Sequence, residues 1–168
     1  MSDPTSKCRK ASHDLVSLFA FIILCLTVSG VGGAITATSV DNWYQALEKP
    51  SFNPPDWVFA PVWTTLYIVM AVAAWRVWRL RSFEVTGKAL ALFTVQLTLN
   101  LAWLFLFFGL QRIDLALVEI MIFLFSIIVT SIMFWRVDHL AGILFVPYGA
   151  WVTYATIINA SIWLLNET

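Results

Sequence analysis

Long apolar stretches alternate with short polar connections along the whole chain. Five apolar runs lie at about 15–38, 58–78, 89–108, 115–135 and 140–164. Each is about 20 residues or longer, which is enough for a helix to cross the hydrocarbon core of a bilayer. Because a backbone in lipid must satisfy its own hydrogen bonds, runs of this length form helices there. The pattern therefore predicts an all-α integral membrane protein, a five-transmembrane-helix bundle that forms a single domain over residues 1–168.

Composition agrees with a lipid bilayer as the solvent. Hydrophobic residues make up 60% of the chain and charged residues 12%, and the mean hydropathy is +0.82. A soluble domain of this size could not bury so much apolar surface. The net charge is zero, so the composition gives no indication of a nucleic-acid partner. The first run is longer than the apolar part of a typical signal peptide, and we interpret it as a retained helix.

Basic residues predict the orientation of the bundle. Only Lys49 and Arg112 fall on one side of the predicted helices. The other eight fall on the opposite side: Lys7, Arg9, Lys10, Arg76, Arg79, Arg81, Lys88 and Arg136. The positive-inside rule then predicts that the N-terminus is cytoplasmic and that the C-terminus lies across the membrane.

The connection between the first two runs is unusually aromatic and rich in proline. We call residues 39–57 the aromatic loop; the stretch that begins in it reads WYQALEKPSFNPPDWVFAPVW and holds four of the six prolines of the chain. Proline limits the conformations of a loop, and large aromatic side chains avoid full exposure to water. This loop is predicted to be a stiff lid over a pocket, on the side with few basic residues.

Side chains at helical spacing predict the walls of that pocket. Gln96 and Asn100 place two amides inside hydrocarbon, where they need partners. They could serve only as hydrogen bonds between helices or could offer a polar contact to a ligand. The predicted walls are Trp63, Tyr67, Asn100, Trp103, Tyr148, Trp151 and Ala155, and the cover is the aromatic loop with Trp57. An apolar pocket with a few polar groups is typical of ligand sites.

Small residues in the first run allow two interpretations. Ser29, Gly33 and Ala37 recur every four residues, a spacing at which another helix can approach closely. They could pack inside the bundle, which we favour, or form the seam of a dimer.

Motifs for ordinary enzyme chemistry are missing. The sequence has no GxSxG motif, phosphate-binding loop or paired carboxylates, and the spacing of Cys8 and Cys25 suits neither a disulfide framework nor a metal. We expect no metal and no bound cofactor. Any chemistry would have to be carried by tryptophan or by an excited ligand.

Three segments together resemble the translocator protein / tryptophan-rich sensory protein (TspO/MBR) family, once called the peripheral benzodiazepine receptor. They are WYQALEKPSFNPPDWVFAPVWTTLY, QLTLNLAW and VPYGAWVTYATIIN. The resemblance implies a five-helix bundle that is usually a homodimer, with a loop that closes a pocket. It implies porphyrin ligands such as protoporphyrin IX and synthetic isoquinoline carboxamide or benzodiazepine ligands. A bacterial envelope and a mitochondrial outer membrane are both compatible with it.

The resemblance also assigns roles to individual residues. Trp63 and Trp151 correspond to the pocket tryptophans of the family, and Asn100 corresponds to its helix amide. The resemblance further implies ligand contacts by Tyr44, Trp103 and Ala155. Sterol binding is not expected, because Ala160 and Leu164 stand where the sterol motif of the family has a tyrosine and an arginine.

Three functional hypotheses follow, in this order. The first is a porphyrin-binding membrane sensor or regulator that can also move such ligands. The second is an enzyme that degrades protoporphyrin IX in light and oxygen, with Trp63 and Trp151 as the candidate catalytic residues; it depends on the resemblance alone. The third is a scaffold for other membrane proteins.

Overall fold

Helices form nearly all of the described chain. The computed structural model describes the backbone of residues 4–80 and 83–166, and the side chains of residues 13–80 and 86–166. Arg81 and the side chains of Lys7, Cys8, Arg9 and Lys10 lie outside the described residues. The α-helices of the described part are α1 (Pro4–Ala37), α2 (Trp43–Ala46), α3 (Phe59–Arg79), α4 (Phe83–Leu104), α5 (Ile113–Val137), α6 (His139–Leu144) and α7 (Val146–Asn166).

Five helical segments of the described chain are long and apolar enough to cross a membrane. They cover His13–Ala37, Asp56–Arg79, Thr86–Gly109, Ile113–Val137 and His139–Asn166. The five predicted spans are thus confirmed. Large apolar side chains stay exposed on the outer face of α5, where Val118 and Phe125 are 63% and 67% accessible. Such a face needs lipid as its solvent.

The fifth span is interrupted next to Pro147. α6 ends at Leu144 and α7 begins at Val146, with Phe145 between them. Pro147 has no N–H to donate to the preceding turn, and its ring crowds the carbonyl four residues earlier. α6 also lies very close to α5, because a Cβ on Gly142 would come within 2.6 Å of the Trp135 side chain.

Pairs of neighbouring helices bury the core. The main contacts join α1 to α3, α4 to α5, and α5 to both α6 and α7. In the core, the rings of Phe93, Phe134 and Phe145 contact one another, with centroids 5.0–6.3 Å apart. Phe145 meets the other two rings edge to face, and Phe93 stacks on Phe134; both arrangements stabilise an interior beyond simple burial.

The last turn of α4 widens into a π-helical turn over Phe105–Gly109. The Leu110 N–H donates to the Phe105 carbonyl at 2.8 Å, and the Ser39 hydroxyl donates to the Phe108 carbonyl at 2.6 Å. A π turn rotates the residues within it relative to the helix before it. Here it turns Phe107 and Phe108 toward the aromatic loop, and Ser39 satisfies a carbonyl of this turn.

Charged side chains hold the opposite end of the bundle together. Arg76 Nε lies 2.5 Å from the Asp138 carboxylate, and Arg79 Nε lies 3.1 Å from that of Asp14. The Trp75 indole N–H also donates to the Asp14 carbonyl at 2.8 Å. These contacts bring Asp14 of α1, the end of α3 and the α5–α6 junction to one end. The predicted cytoplasmic orientation of this end stays a prediction.

Candidate functional site

A cavity of about 430 Å³ lies beneath the aromatic loop, among α1, α3, α4 and α7. Its volume is in the range of sites that hold small organic ligands. Five of the nine predicted ligand-binding residues line it: Tyr44, Trp63, Tyr67, Trp103 and Ala155. Among the described residues its wall also includes Phe59, Phe107, Phe108, Ile158 and Ile162. The cavity is therefore predominantly aromatic and aliphatic.

Aromatic rings along α3 and α4 form two packed groups in the wall. The Trp63 ring lies 5.9 Å from that of Tyr67, one turn further along α3. Trp103 stacks on Phe107 at 5.5 Å, and Tyr44 from the loop contacts the edge of Phe107 at 6.2 Å. Because each ring is held by another ring, the wall presents preorganised flat surfaces for stacking.

The Trp103 indole is fixed by polar contacts at its far edge. Its Nε1 donates to Asn159 Oδ1 at 3.1 Å, and Asn159 Nδ2 donates to the Ile113 carbonyl at 3.1 Å. Asn159 is 1% accessible and also lines the cavity. The indole N–H is thus occupied within the protein, and Trp103 offers a ligand its ring face.

A buried chain of hydrogen bonds lies behind Tyr67. The Tyr67 hydroxyl donates to Asn100 Oδ1 at 2.6 Å, and the Tyr148 hydroxyl donates to Gln96 Oε1 at 2.8 Å. Asn100 Nδ2 lies 3.4 Å from the Tyr148 hydroxyl and joins the two halves. Asn100 and Tyr148 do not line the cavity. The side-chain amides of Gln96 and Asn100 thus form hydrogen bonds between helices, and neither faces the cavity.

Two predicted site tryptophans lie outside the cavity wall. Trp57 is 75% accessible, and it follows the lining residue Asp56 in a 3-10 turn. The Trp151 ring lies 5.9 Å from Phe59 and 5.7 Å from Tyr154. Trp151 therefore contacts the cavity indirectly, through Phe59.

Small residues of α1 form a wall that the sequence did not reveal as part of the site. Ser29, Gly33 and Ala37 line the cavity, and Gly33 and Ala37 are solvent-accessible, so this stripe does not pack tightly inside the bundle; a dimer seam here stays a prediction. Gly32 makes the close approach instead, because a Cβ there would lie 2.5 Å from Leu104 Cδ1. The adjacent glycines could have indicated this in the sequence. Gly32 permits close contact with α4, and Gly33 leaves space for the cavity.

Internal contacts shape the aromatic loop. The Tyr44 hydroxyl donates to Asn53 Oδ1 at 3.1 Å, and Gln45 Nε2 donates to Asp56 Oδ2 at 2.6 Å. The Lys49 ammonium lies 4.7 Å from the centre of the Tyr44 ring. Burial raises the pKa of the Tyr44 phenol above its usual 10.0, so this side chain is neutral near pH 7.

Charge at the site is negative. Asp41 and Asp56 line the cavity, whereas no lysine, arginine or histidine is among its described lining residues. The described residues also contain no group of three or more His, Cys, Asp and Glu side chains that could hold a metal ion.

Comparisons with known proteins agree with this architecture. The model of the TspO/MBR family matches residues 21–164. Protein CrtK of Rhodobacter capsulatus is 40% identical over 152 residues, which cover 90% of this chain and 94% of that protein. The tryptophan-rich sensory protein of Cereibacter sphaeroides is 42% identical over 147 residues, or 85% and 91% of the two chains.

A similar relationship extends to an animal protein. The human translocator protein is 41% identical over 130 residues, which cover 75% of this chain and 76% of the human one. Residues 21–164, which the family model matches, include all five membrane-length segments in whole or in part. The chain is thus an integral, multi-pass membrane protein, and it belongs to the TspO/MBR family.

Proposed function

We propose that this protein binds a flat tetrapyrrole of the protoporphyrin IX type in the cavity beneath the aromatic loop. Binding would serve a sensing or regulatory role in the membrane, or the movement of such hydrophobic ligands. Relatives named tryptophan-rich sensory protein and translocator protein support these two roles. Both roles begin with the same step, which is the capture of a hydrophobic ligand.

The observation that carries the proposal is the set of aromatic rings around one cavity. Trp63, Trp103, Phe107 and Phe108 line about 430 Å³ together with Tyr44 of the loop. Flat aromatic ligands gain binding energy by stacking on such rings and by leaving water. The wall is packed in advance, so little side-chain entropy is lost on binding.

Titration of the purified protein with protoporphyrin IX in detergent micelles tests the proposal. Tryptophan fluorescence should be quenched saturably, because Trp63 and Trp103 lie in the wall. Quenching by the same porphyrin of free tryptophan in equal micelles serves as the control. A linear, unsaturable loss of fluorescence would contradict the proposal.

An enzyme that degrades porphyrin in light is the second candidate, and one observation favours it. Trp63 lines the cavity and contacts the rings of Tyr67 and Tyr148 at 5.9 and 6.3 Å, so an oxidisable indole would lie beside a bound pigment. Illumination with and without oxygen separates this candidate from sensing. Pigment loss above a protein-free control that disappears in Trp63→Phe, while binding persists, supports the enzyme. Binding without pigment loss supports the sensor.

Trp151→Phe serves as a comparison in the same assay. Trp151 contacts the wall only through Phe59. If the indole must touch the pigment, Trp63→Phe should reduce pigment loss more than Trp151→Phe does.

Further partners follow from the family and remain proposals. Isoquinoline carboxamide and benzodiazepine ligands should compete with porphyrin for the same cavity, which a displacement titration measures. A homodimer should appear as twice the protein mass of 19.0 kDa in detergent after correction for bound detergent.

A further inference from the structure

We propose that Ser29 of α1 is a specificity-determining residue, whose hydroxyl binds an oxygen-bearing group on the deep edge of the ligand. Among flat porphyrins it favours one that carries a carbonyl or hydroxyl group at that edge over one that carries only alkyl groups there. This inference rests on the proposed function, because it takes the cavity to be the ligand site.

Ser29 lies at the deep end of the cavity. Among the described lining residues of α1 it is the furthest from the aromatic loop, eight residues before the end of the helix at Ala37. A helix rises about 1.5 Å per residue, which places Ser29 about 12 Å below the loop. Tyr67, eight residues after the start of α3 at Phe59, has the corresponding position on the neighbouring helix. A ligand that fills the cavity therefore brings its leading edge to Ser29.

The Ser29 hydroxyl is free, unlike the other hydroxyls of the described lining. The hydroxyls of Tyr44 and Tyr67 donate to asparagine side chains. Those of Thr36 and Thr64 donate to backbone carbonyls four residues earlier. No hydrogen bond of the described residues uses the Ser29 hydroxyl. The wall thus keeps one hydroxyl available for a ligand.

The Ser29 oxygen is also accessible from the cavity. The unpartnered polar side-chain atoms that are sealed within the described core all belong to other residues, namely Thr86, Glu119, Trp151 and Trp163. Ser29 itself is only partly buried. Gly33 lies one turn closer to the loop, and an added Cβ there would meet no atom within 4 Å. The glycine therefore leaves room for a ligand edge next to this hydroxyl.

One further donor of the wall is free. The Trp63 indole N–H has no partner among the described residues, and Trp63 lines the cavity. An indole can only donate, whereas a serine hydroxyl both donates and accepts. Ser29 can thus bind either a carbonyl oxygen or a hydroxyl group of the ligand.

The charge of the porphyrin decides which of its edges reaches Ser29. Protoporphyrin IX carries both propionates on one edge and two vinyl groups on the opposite edge. Ionised carboxylates are costly away from water, so the propionate edge stays hydrated at the mouth and the opposite edge enters first. Acetyl groups in place of the vinyl groups would present carbonyl oxygens to Ser29. Ethyl groups in the same places would leave its hydroxyl unpaired.

Diacetyldeuteroporphyrin IX and mesoporphyrin IX form a matched pair for the test, because they share the macrocycle and both propionates and differ only in acetyl and ethyl groups. Both dissociation constants are measured by tryptophan quenching in a nonionic detergent for the native chain, for Ser29→Ala and for Thr27→Val as the control. Thr27 is an exposed residue of α1 that donates to the Ile23 carbonyl and does not line the cavity.

The readout is the ratio of the mesoporphyrin to the diacetylporphyrin dissociation constant, compared between proteins so that partition into micelles cancels. We expect Ser29→Ala to lower this ratio about threefold to tenfold, through weaker binding of the diacetylporphyrin, which is the effect of about one neutral hydrogen bond. Thr27→Val should leave the ratio unchanged.

Failures of the two proposals can be told apart. If both porphyrins bind saturably and the ratio is the same in the native chain and in Ser29→Ala, the role of Ser29 is overturned and the proposed function stands. The same holds if the ratio falls equally in Thr27→Val, or if mesoporphyrin alone binds saturably. Absence of saturable binding for both porphyrins contradicts the proposed function and the role of Ser29 together.

Discussion

The side-chain amide of Asn166 pairs with the backbone of Glu48 through two hydrogen bonds. The Glu48 N–H donates to Asn166 Oδ1 at 3.1 Å, and Asn166 Nδ2 donates to the Glu48 carbonyl at 3.0 Å. Nearby, the Tyr154 hydroxyl donates to the Phe52 carbonyl at 2.6 Å. α7 therefore fastens the aromatic loop at two points, one at the last described turn and one three turns earlier.

Replacement of Asn166 should loosen the loop without disturbing the bundle. Asn166→Ala removes both hydrogen bonds to Glu48. Each contributes about 0.5–1.5 kcal/mol to the stability of the closed loop. We expect faster amide hydrogen exchange over residues 47–56 and a threefold to tenfold, order-of-magnitude rise in the porphyrin dissociation constant, dominated by faster release. Hydrogen exchange with mass spectrometry and stopped-flow fluorescence measure the two effects.

Ser161→Ala is the matched control for that variant. The Ser161 hydroxyl donates to the Ile157 carbonyl of its own helix and contacts no loop residue in the described hydrogen bonds. Equal exchange and release rates in both variants would mean that the Asn166 contact does not hold the loop.

The prolines of the loop should favour ligand binding because they limit the conformations of the open loop. Pro55 has φ −57° and ψ 143°, which glycine can also adopt, so Pro54→Gly with Pro55→Gly keeps the closed conformation available. Glycine makes the open loop more flexible, at a cost of about 0.4–1 kcal/mol for each residue on closing. We expect weaker porphyrin binding with the melting temperature of the bundle nearly unchanged. Native affinity in this double variant would show that the loop is not a lid.

Loss of the buried amide should cost stability. Asn100→Leu leaves the hydroxyls of Tyr67 and Tyr148 without one partner each, and a buried unsatisfied polar group costs about 1–3 kcal/mol. We expect a lower unfolding temperature in detergent for this variant. Thr98→Val is the control, because Thr98 is exposed and donates only to the Thr94 carbonyl. A melting temperature equal to that of the control would contradict a stabilising network.

Acid should weaken the end of the bundle that Asp138 joins. The hydrogen bond from Arg76 lowers the pKa of the Asp138 carboxyl below its usual 3.8. A depressed pKa in the folded state gives stability that is present above the unfolded value and is lost as the pH falls through the folded value. We therefore expect the native chain to lose stability below about pH 4 more steeply than Asp138→Asn, which can still cap α6. Thermal unfolding between pH 3 and 7 measures how the stability of each protein depends on pH. An equal pH dependence in the native chain and in Asp138→Asn would contradict a stabilising role of the Asp138 carboxylate.

Features that depend on residue spacing could be predicted from the sequence. The five spans follow from apolar runs, and the interruption of the last one follows from Pro147. The face of α3 that lines the cavity also follows, because Trp63 and Tyr67 recur at helical spacing. On α4 the spacing places Trp103 in the wall, but Asn100 lies behind it.

Features that depend on how helices rotate against one another could not be predicted from the sequence. The π turn at Phe105–Gly109 accepts a hydrogen bond from Ser39, which belongs to a distant part of the chain. The position of Trp151 depends on where α7 restarts after Phe145, which sets its rotation. Helical spacing alone cannot show that Ser29 and Gly33 face a cavity, since small residues also suit close packing.

A cavity-filling substitution tests the central claim, that the ligand binds beneath the aromatic loop, most directly. Ala155 lines the cavity and is 9% accessible, so Ala155→Leu places three further carbons beside the space for the ligand. Thr153→Leu, at an exposed position of the same helix, is the control. We predict that the dissociation constant for protoporphyrin IX rises at least about tenfold in Ala155→Leu and stays near the native value in Thr153→Leu. Native affinity in a folded Ala155→Leu protein would contradict the claim.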